Sequence, residues 1–281
     1  MLMCSIQKRM RRNERWLFPL VLACAVFCLV NASSAQMSIP GPPPQDPADY
    51  GKVILDTHSS TGPGGVVFDH WLHRSKFTCR LCHVDIGFAM RANATGIRAG
   101  TNRQGFHCGA CHNGKRTIDA KAVFASCSSD GTTDKQCARC HSLGKRGVRQ
   151  YEYKAYTAKF PKGAYGIDWM ATESAGQIKL TDFLEGVSEK ESAMKNKRDL
   201  SITSRDSWVQ PITFSHEKHS LWGGCELCHP EIFQPARAER PPYSMFANIN
   251  GRFCGACHGK VAFPLNNCSG CHPSGPDWEE H

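Results

Sequence analysis

One arrangement of residues recurs six times in the chain: two cysteines separated by two residues, with a histidine directly after the second cysteine. The copies begin at Cys79, Cys108, Cys137, Cys225, Cys254 and Cys268. Two thiols at this spacing can add to the two vinyl groups of one haem, and the adjacent histidine then lies beneath the iron as its proximal ligand. The pattern therefore predicts six covalently bound haem c groups.

The motifs define two sets of site residues. The predicted attachment residues are Cys79, Cys82, Cys108, Cys111, Cys137, Cys140, Cys225, Cys228, Cys254, Cys257, Cys268 and Cys271. The predicted proximal ligands are His83, His112, His141, His229, His258 and His272. Zinc sites and structural disulfides are the alternatives. Zinc sites pair two half-sites without needing histidine at the next position, and disulfides leave six adjacent histidines unexplained.

Two further histidine pairs are candidates for the opposite axial positions. His70 and His73, and again His216 and His219, are three residues apart and follow a Phe-x-His pattern shortly before a haem motif. Residues at this spacing lie on one side of a helical turn, so one short element can present two imidazoles to two haems. The recurrence at the same offset argues against two solvent-exposed pairs.

The third haem of each set has no such histidine. Met90 and Met245 each lie between the first and second motifs of their set, and a thioether sulfur is an accepted haem ligand. Packing in a core is the alternative role of these methionines. His107 competes as a ligand in the first set, whereas His58 and His281 are expected to be surface or terminal residues.

The N-terminal segment predicts export. Basic residues precede an apolar run over 17–30 and a small-residue cleavage site ending at Ala35, which is the pattern of a Sec-type signal peptide. The apolar run is short for a membrane span, although an uncleaved anchor and a lipoprotein site at Cys24 remain alternatives. The expected location is the periplasm of a Gram-negative bacterium, with the outer surface or a membrane-anchored form as alternatives.

The sequence divides into repeated and unrepeated parts. We expect a signal peptide at 1–35, a Pro/Gly-rich linker at 36–65, a triheme module at 66–141, a haem-free spacer at 142–210, and a second triheme module with a C-terminal tail at 211–281. The spacer is expected to pack against both modules, with partner docking as the alternative. Its residues 181–200 are predicted to form a short surface helix.

Composition limits the fold and the partners. So few residues for each haem cannot build an ordinary core, so the porphyrins themselves must be the core. The expected fold is mainly α with much irregular coil, a haem-cored pair of triheme modules joined by a spacer. The formal net charge of +9 includes the predicted signal peptide, and haem propionates would offset much of the rest. The charge therefore does not indicate a nucleic-acid partner, and none is expected.

The pattern resembles the triheme c-type cytochromes of the c-seven class, related to the tetraheme c-three type, found in metal-reducing bacteria. The resemblance rests on Phe68-x-His70-x-x-His73 and Phe214-x-His216-x-x-His219, each followed by three motifs. It implies that His70 and His73 serve the first and second haems, and His216 and His219 the fourth and fifth. Small members of the class carry another histidine where this chain has Gln104 and Asn250.

The leading functional hypothesis is an electron carrier rather than an enzyme. Its expected partners are a quinol-linked inner-membrane donor and periplasmic or outer-membrane cytochromes, in anaerobic respiration or extracellular electron transfer. Membrane association is expected only through the N-terminal segment. The alternatives are a reductase of nitrite, hydroxylamine or a sulfur oxyanion with one open haem, and an electron-transfer subunit of a membrane quinol oxidoreductase.

Overall fold

The computed structural model describes residues 51–56, 64–127, 134–142, 153–163, 166–190, 198–203, 210–234, 243–263 and 265–272. The predicted signal peptide and most of the predicted linker lie outside these residues, as do His58 and His281. In the described part, no helix is long and apolar enough to cross a membrane.

Short helices and two-residue to four-residue strands make up the regular structure. The helices are α1 (His70–Arg74), α2 (Ala99–Arg103), α3 (Asp134–Cys137), α4 (Tyr153–Tyr156), α5 (Trp169–Ser174), α6 (His216–Gly223) and α7 (Met245–Ile249), with a π-helix at Leu81–Asp85 and 3-10 turns at His107–Ala110, Phe253–Ala256 and Cys268–Gly270. The strands are β1 (Lys52–Leu55), β2 (Val66–Asp69), β3 (Thr117–Ile118), β4 (Lys121–Ala122), β5 (Lys162–Gly163), β6 (Gly166–Ile167), β7 (Leu200–Ile202) and β8 (Ile212–Phe214).

The same succession of elements occurs twice. An antiparallel hairpin, β1–β2 or β7–β8, leads directly into α1 or α6, which carries the histidine pair. The hairpins put Lys52 opposite Asp69 and Leu200 opposite Phe214. A short helix, α2 or α7, then packs on the 3-10 turn that carries the second motif. The structural repeat therefore includes β1 and β7, which the sequence places in the linker and the spacer.

The spacer packs against the first repeat. The ring of Tyr153 meets Trp71 edge-on with centroids 5.3 Å apart, and the hydroxyl of Tyr156 donates to Ser75 at 3.1 Å. Further along, Thr181 pairs with the backbone of Phe77. Residues 181–190 form coil and one turn, so the prediction of a helix is wrong for these residues. Residues 191–197 of the predicted helix lie outside the described part of the chain.

The spacer and the first repeat both approach the second repeat. Arg74, the last residue of α1 in the first repeat, stacks its guanidinium on the Trp169 ring of the spacer at 4.5 Å. The same guanidinium donates to the carbonyl of Val261 in the second repeat. The Glu173 carboxyl, whose pKa is raised by burial, lies beside the indole of Trp222. One short stretch of spacer is thus in contact with both repeats, and its packing role stays a prediction.

The protein core is small. Among the described residues, the buried hydrophobic side chains are Trp71, Phe77, Leu81, Ile178 and Ala247. Large apolar side chains beside the motifs are instead exposed, including Phe246 at 80% and Ile249 at 68%. Helix and coil with few strands agree with the expected fold class, and the exposed apolar surface is what a chain packed around bulky prosthetic groups presents. The strand hairpins were not expected.

Candidate haem-binding sites

One phenylalanine contacts both histidines of each pair. In the first repeat the Phe68 ring lies 4.8 Å from the His70 ring and 4.4 Å from the His73 ring, measured between centroids. In the second repeat Phe214 lies 4.9 Å and 4.3 Å from the corresponding rings. The strand that carries the phenylalanine ends at Asp69 or Phe214, and the following helix begins at the first histidine of the pair. One junction of strand and helix therefore positions both imidazoles.

Three of these imidazoles face the histidine of a haem motif. The ring centroids are 6.4 Å apart for His70 and His83. They are 6.3 Å apart for His73 and His112, and 6.4 Å apart for His219 and His258. A metal–nitrogen bond of about 2 Å and about 1.2 Å from nitrogen to ring centre place two imidazoles on one metal about 6.4 Å apart. The three separations therefore fit an iron between the rings.

The Nδ1 atoms of nine of the ten axial histidines donate to backbone carbonyls, and the exception is His112, whose buried Nδ1 has no such partner in the described part of the chain. In the motifs, His83 donates to Phe88 at 2.8 Å, His229 to Phe233 at 2.7 Å, and His258 to Phe263 at 3.1 Å. Of the paired histidines, His219 donates to Ser215 at 2.8 Å and His73 to Asp69 at 3.4 Å. Such bonds fix the tautomer and leave Nε2 with a lone pair for a metal.

The hairpins supply four of these carbonyls at matching places in the two repeats. The carbonyl just before β1, from Gly51, accepts from His70 at 2.6 Å, and that of Arg198 before β7 accepts from His216 at 2.9 Å. The carbonyls just before β2 and β8 accept from the third histidine of each set, with Gly64 2.6 Å from His141 and Gln210 2.7 Å from His272. Sequence reasoning missed these partners because they are remote in the chain and backbone carbonyls carry no residue signature.

Burial favours the neutral form of six of the axial histidines. It lowers the pKa of His73 to about 4, with the neighbouring His112 as the next cause. Burial likewise lowers the pKa of His70, His83, His112, His219 and His258. A neutral imidazole is the form that binds a metal, so the fold favours the ligating form at neutral pH.

Nine of the motif cysteines are half-buried, whereas Cys137, Cys225 and Cys268 are exposed. Burial, with neighbouring thiols as a smaller cause, raises the pKa of Cys82 to about 12 and those of Cys108 and Cys257 to about 11. Within the described residues, no group of three or more metal-binding side chains comes together.

Thiols of different motifs are close enough to influence each other's pKa, as a smaller cause than burial. Electrostatic links of this kind join Cys140 to Cys108, Cys111 to Cys82, Cys79 to Cys228 and to Cys257, Cys228 to Cys257, and Cys254 to Cys271. The links run in a line from the third motif through the second and first to the fourth, fifth and sixth, and the first motif is near both the fourth and the fifth. The third motif of each repeat lies at an end of this line.

The remaining ligand candidates do not occupy equivalent places. Met245 is the first residue of α7, whereas Met90 lies in a bend well before α2. His107 begins a 3-10 turn, where Phe253 stands in the second repeat. Its ring packs against Phe88 at 5.7 Å, and its buried Nδ1 has no hydrogen-bond partner.

Comparisons with known proteins agree with this site chemistry. The model of a family described as cytochrome c7 and related cytochrome c matches residues 66–142 and 212–273. No curated protein matches the chain. Among solved structures, the C-terminal hexaheme fragment of GSU1996 is 21% identical, over 79% of this chain and 96% of that chain, with a TM-score of 0.25.

Two other structures are similar at the same level. The N-terminal hexaheme fragment of GSU1996 is 24% identical, over 79% of this chain and 98% of that chain, with a TM-score of 0.24. The dodecaheme cytochrome c GSU1996 is 20% identical, over 79% and 73%, with a TM-score of 0.25. Superpositions at these scores carry no argument here. With the family match over both repeats and six Cys-x-x-Cys-His motifs, the chain belongs to the family of cytochrome c7 and related cytochromes c, and it is a multihaem c-type cytochrome of electron transport.

Proposed function

We propose that the chain carries six haem c groups and conducts electrons along them in the periplasm. The observation that carries the proposal is the set of three imidazole pairs with centroids 6.3 to 6.4 Å apart. Haem iron supplies one-electron chemistry, and the protein supplies ligands, orientation and spacing. An iron held by protein ligands on both faces offers no place for a substrate, which favours a carrier over an enzyme.

The axial ligands follow from the geometry and the repeat. His70 and His83 serve the first haem, and His73 and His112 the second. His219 and His258 serve the fifth, and His216 pairs with His229 at the fourth by correspondence with the first repeat. Met245, exposed at the start of α7, is the thioether ligand opposite His272 at the sixth haem.

The order of the motifs gives the route. Electrostatic links between thiols of neighbouring motifs support a route from the third motif to the sixth. A thioether raises the potential of a haem relative to a second histidine. The Met245 haem at one end of the line is then the most easily reduced of the ligated haems, so the line has a direction.

The signal peptide supports export, and haem attachment to c-type chains follows export. We assign the donor to a quinol-linked protein of the inner membrane and the acceptor to another cytochrome, in anaerobic respiration or extracellular electron transfer. An electron-transfer subunit of a membrane quinol oxidoreductase would use the same haem line and differ only in a retained N-terminal anchor.

The test uses the full chain produced in a host that matures c-type cytochromes. Haem content from a pyridine haemochrome assay and the intact mass should both give six haems per chain, and fractionation should place the protein in the periplasm. Stopped-flow mixing with a reduced, then an oxidised, small redox protein should show reversible reduction. Fewer haems, or catalytic turnover of nitrite, hydroxylamine or a sulfur oxyanion, would refute the carrier.

A further inference from the structure

The two repeats differ at the start of the helix before the second motif. Helices α2 and α7 both have five residues and begin nine residues before the first cysteine of the following motif. Their first residues are Ala99 and Met245, and their second residues are Gly100 and Phe246. The first repeat thus has neither the thioether nor the aromatic ring at this place.

Backbone contacts establish that the two helices are equivalent. The amides of Gly105 and Gly251 donate to the carbonyls of Asn102 and Asn248, at 3.1 and 2.9 Å. A Cβ atom on Gly109 would lie 1.8 Å from the Asn102 oxygen, and one on Gly255 would lie 1.7 Å from the Asn248 oxygen. The backbone of His107 and of Phe253 has the same left-handed φ of 48°.

We infer that the haem attached at Cys137 and Cys140 has an open distal face and binds a small neutral diatomic ligand on its ferrous iron. The inference rests on the proposed ligation by Met245, because it compares Ala99 with that residue. An alanine methyl group cannot ligate iron. A Cβ on Gly100 would meet no described atom within 4 Å, so among the described residues this position carries no counterpart of the Phe246 ring.

None of the other described ligand candidates of the first repeat stands at the position that Met245 takes in the second repeat. His107 takes the aromatic packing position of Phe253, which contacts Phe233 at 6.2 Å just as His107 contacts Phe88. Cys127 accepts from the Asn102 amide at 3.8 Å and lies near the attachment thiols of Cys108 and Cys140, at the predicted porphyrin edge. Met90 lies in a bend nine residues before Ala99, so it is not at the place that Met245 takes in the second repeat.

The two haems that differ in their distal ligand are attached at the two ends of the haem line. The third motif lies at one end of the line of thiol contacts, and the sixth motif, served by Met245, lies at the other. Ligand binding at an end haem leaves the other haems connected. The open haem is therefore a terminal site, able to take a ligand without interrupting conduction between the remaining five.

The test is carbon monoxide titration of the dithionite-reduced full-length protein, with bound ligand compared with total haem. We expect one carbon monoxide per wild-type chain, a ferric high-spin signal from one haem, and loss of both in Ala99→Met. Met245→Ala should bind two, and Met90→Ala should still bind one. The low-spin spectrum of the other haems reports that each variant is folded.

Each result decides between the two claims. A wild-type chain that binds no carbon monoxide, or an Ala99→Met chain that still binds one, overturns the open third haem. In the first case, the variant of Met90, His107, Cys127 or His58 that gains binding identifies the true ligand. A Met245→Ala chain that binds no more than the wild type overturns instead the proposed ligation of the sixth haem.

Discussion

The imidazole rings of His70 and His83 are nearly parallel, with an interplanar angle of 4° and centroids 6.4 Å apart. The other two facing pairs have the same separation but are inclined, at 55° for His73 with His112 and 56° for His219 with His258. The inclined pairs occupy the second place in each repeat. The arrangement of the imidazoles at the first motif is thus distinct from that at the second and fifth motifs.

This difference in ring angle predicts two classes of ferric low-spin signal in electron paramagnetic resonance. Parallel rings donate into the same iron d orbital and split the two π orbitals strongly, whereas inclined rings divide their donation and split them less. We expect a more rhombic signal from the first haem and a more anisotropic one from the second and fifth. His73→Met should remove intensity only from the anisotropic class, so a loss from the rhombic class would contradict the assignment.

The Phe68 ring contacts both His70 and His73, so its removal should weaken the positioning of both imidazoles. Phe68→Ala leaves both rings without their common contact, and a cost at the low end of the about 3–5 kcal/mol of core Phe→Ala changes is expected. Both distal histidines should then dissociate more readily, so carbon monoxide should reach the first and second haems. Phe183→Ala, on a 37% exposed spacer residue, is the matched control. Unchanged carbon monoxide binding in Phe68→Ala would show that the Phe68 ring does not position the two histidines.

What the sequence could predict follows from where each signal lies. Covalent attachment demands fixed spacing, so the six cysteine pairs and the histidine beside each are visible in the sequence. His70 and His73 are visible because their pattern recurs. The carbonyls of Gly51 and Arg198 that orient the imidazoles are invisible, since any residue can supply them.

Two other features depended on tertiary structure. Met90 and Met245 look alike in the sequence because both lie between two motifs, and only the helix bounds show that Ala99 is the true counterpart of Met245. The charged run from Thr181 has a helical composition, but its residues 181–190 form coil and one turn, and Thr181 pairs with Phe77. Local pattern yields to long-range pairing in such short elements.

The glycine of the second motif in each repeat predicts a steric limit. Gly109→Ala puts a methyl group into the Asn102 carbonyl, and Gly255→Ala does the same at Asn248. Because a backbone atom cannot move aside as a side chain can, each change should cost at least the about 1–3 kcal/mol typical of overpacking. The yield of fully haem-loaded protein and its Tm should fall in both. Gly163→Ala, where a Cβ meets nothing within 4 Å, should leave both unchanged.

Arg80 joins the first motif to the spacer. Its side chain is 6% exposed and lies 3.1 Å from the Asp85 carboxylate and 3.6 Å from that of Asp182. It also donates to the carbonyl of Glu189 at 3.1 Å. Arg80→Ala leaves Asp85 buried without its nearest cation, so we expect a loss of about 3–5 kcal/mol in the free energy of unfolding. Arg91→Ala, on an exposed side chain, should stay within about 0.5 kcal/mol of the wild type.

The pH dependence separates this ionic effect from lost packing. Burial raises the pKa of Asp85 above its usual 3.8 even with Arg80 present, and removing the guanidinium raises it further. An acid whose folded pKa is raised costs stability only as the pH rises through the window above 3.8, where the unfolded chain releases its proton first. The loss caused by Arg80→Ala should therefore be larger at neutral than at acidic pH, and adding Asp85→Asn should recover part of it at neutral pH. Denaturant unfolding followed by Soret circular dichroism measures both, and an equal loss at the two pH values would leave packing as the whole role of Arg80.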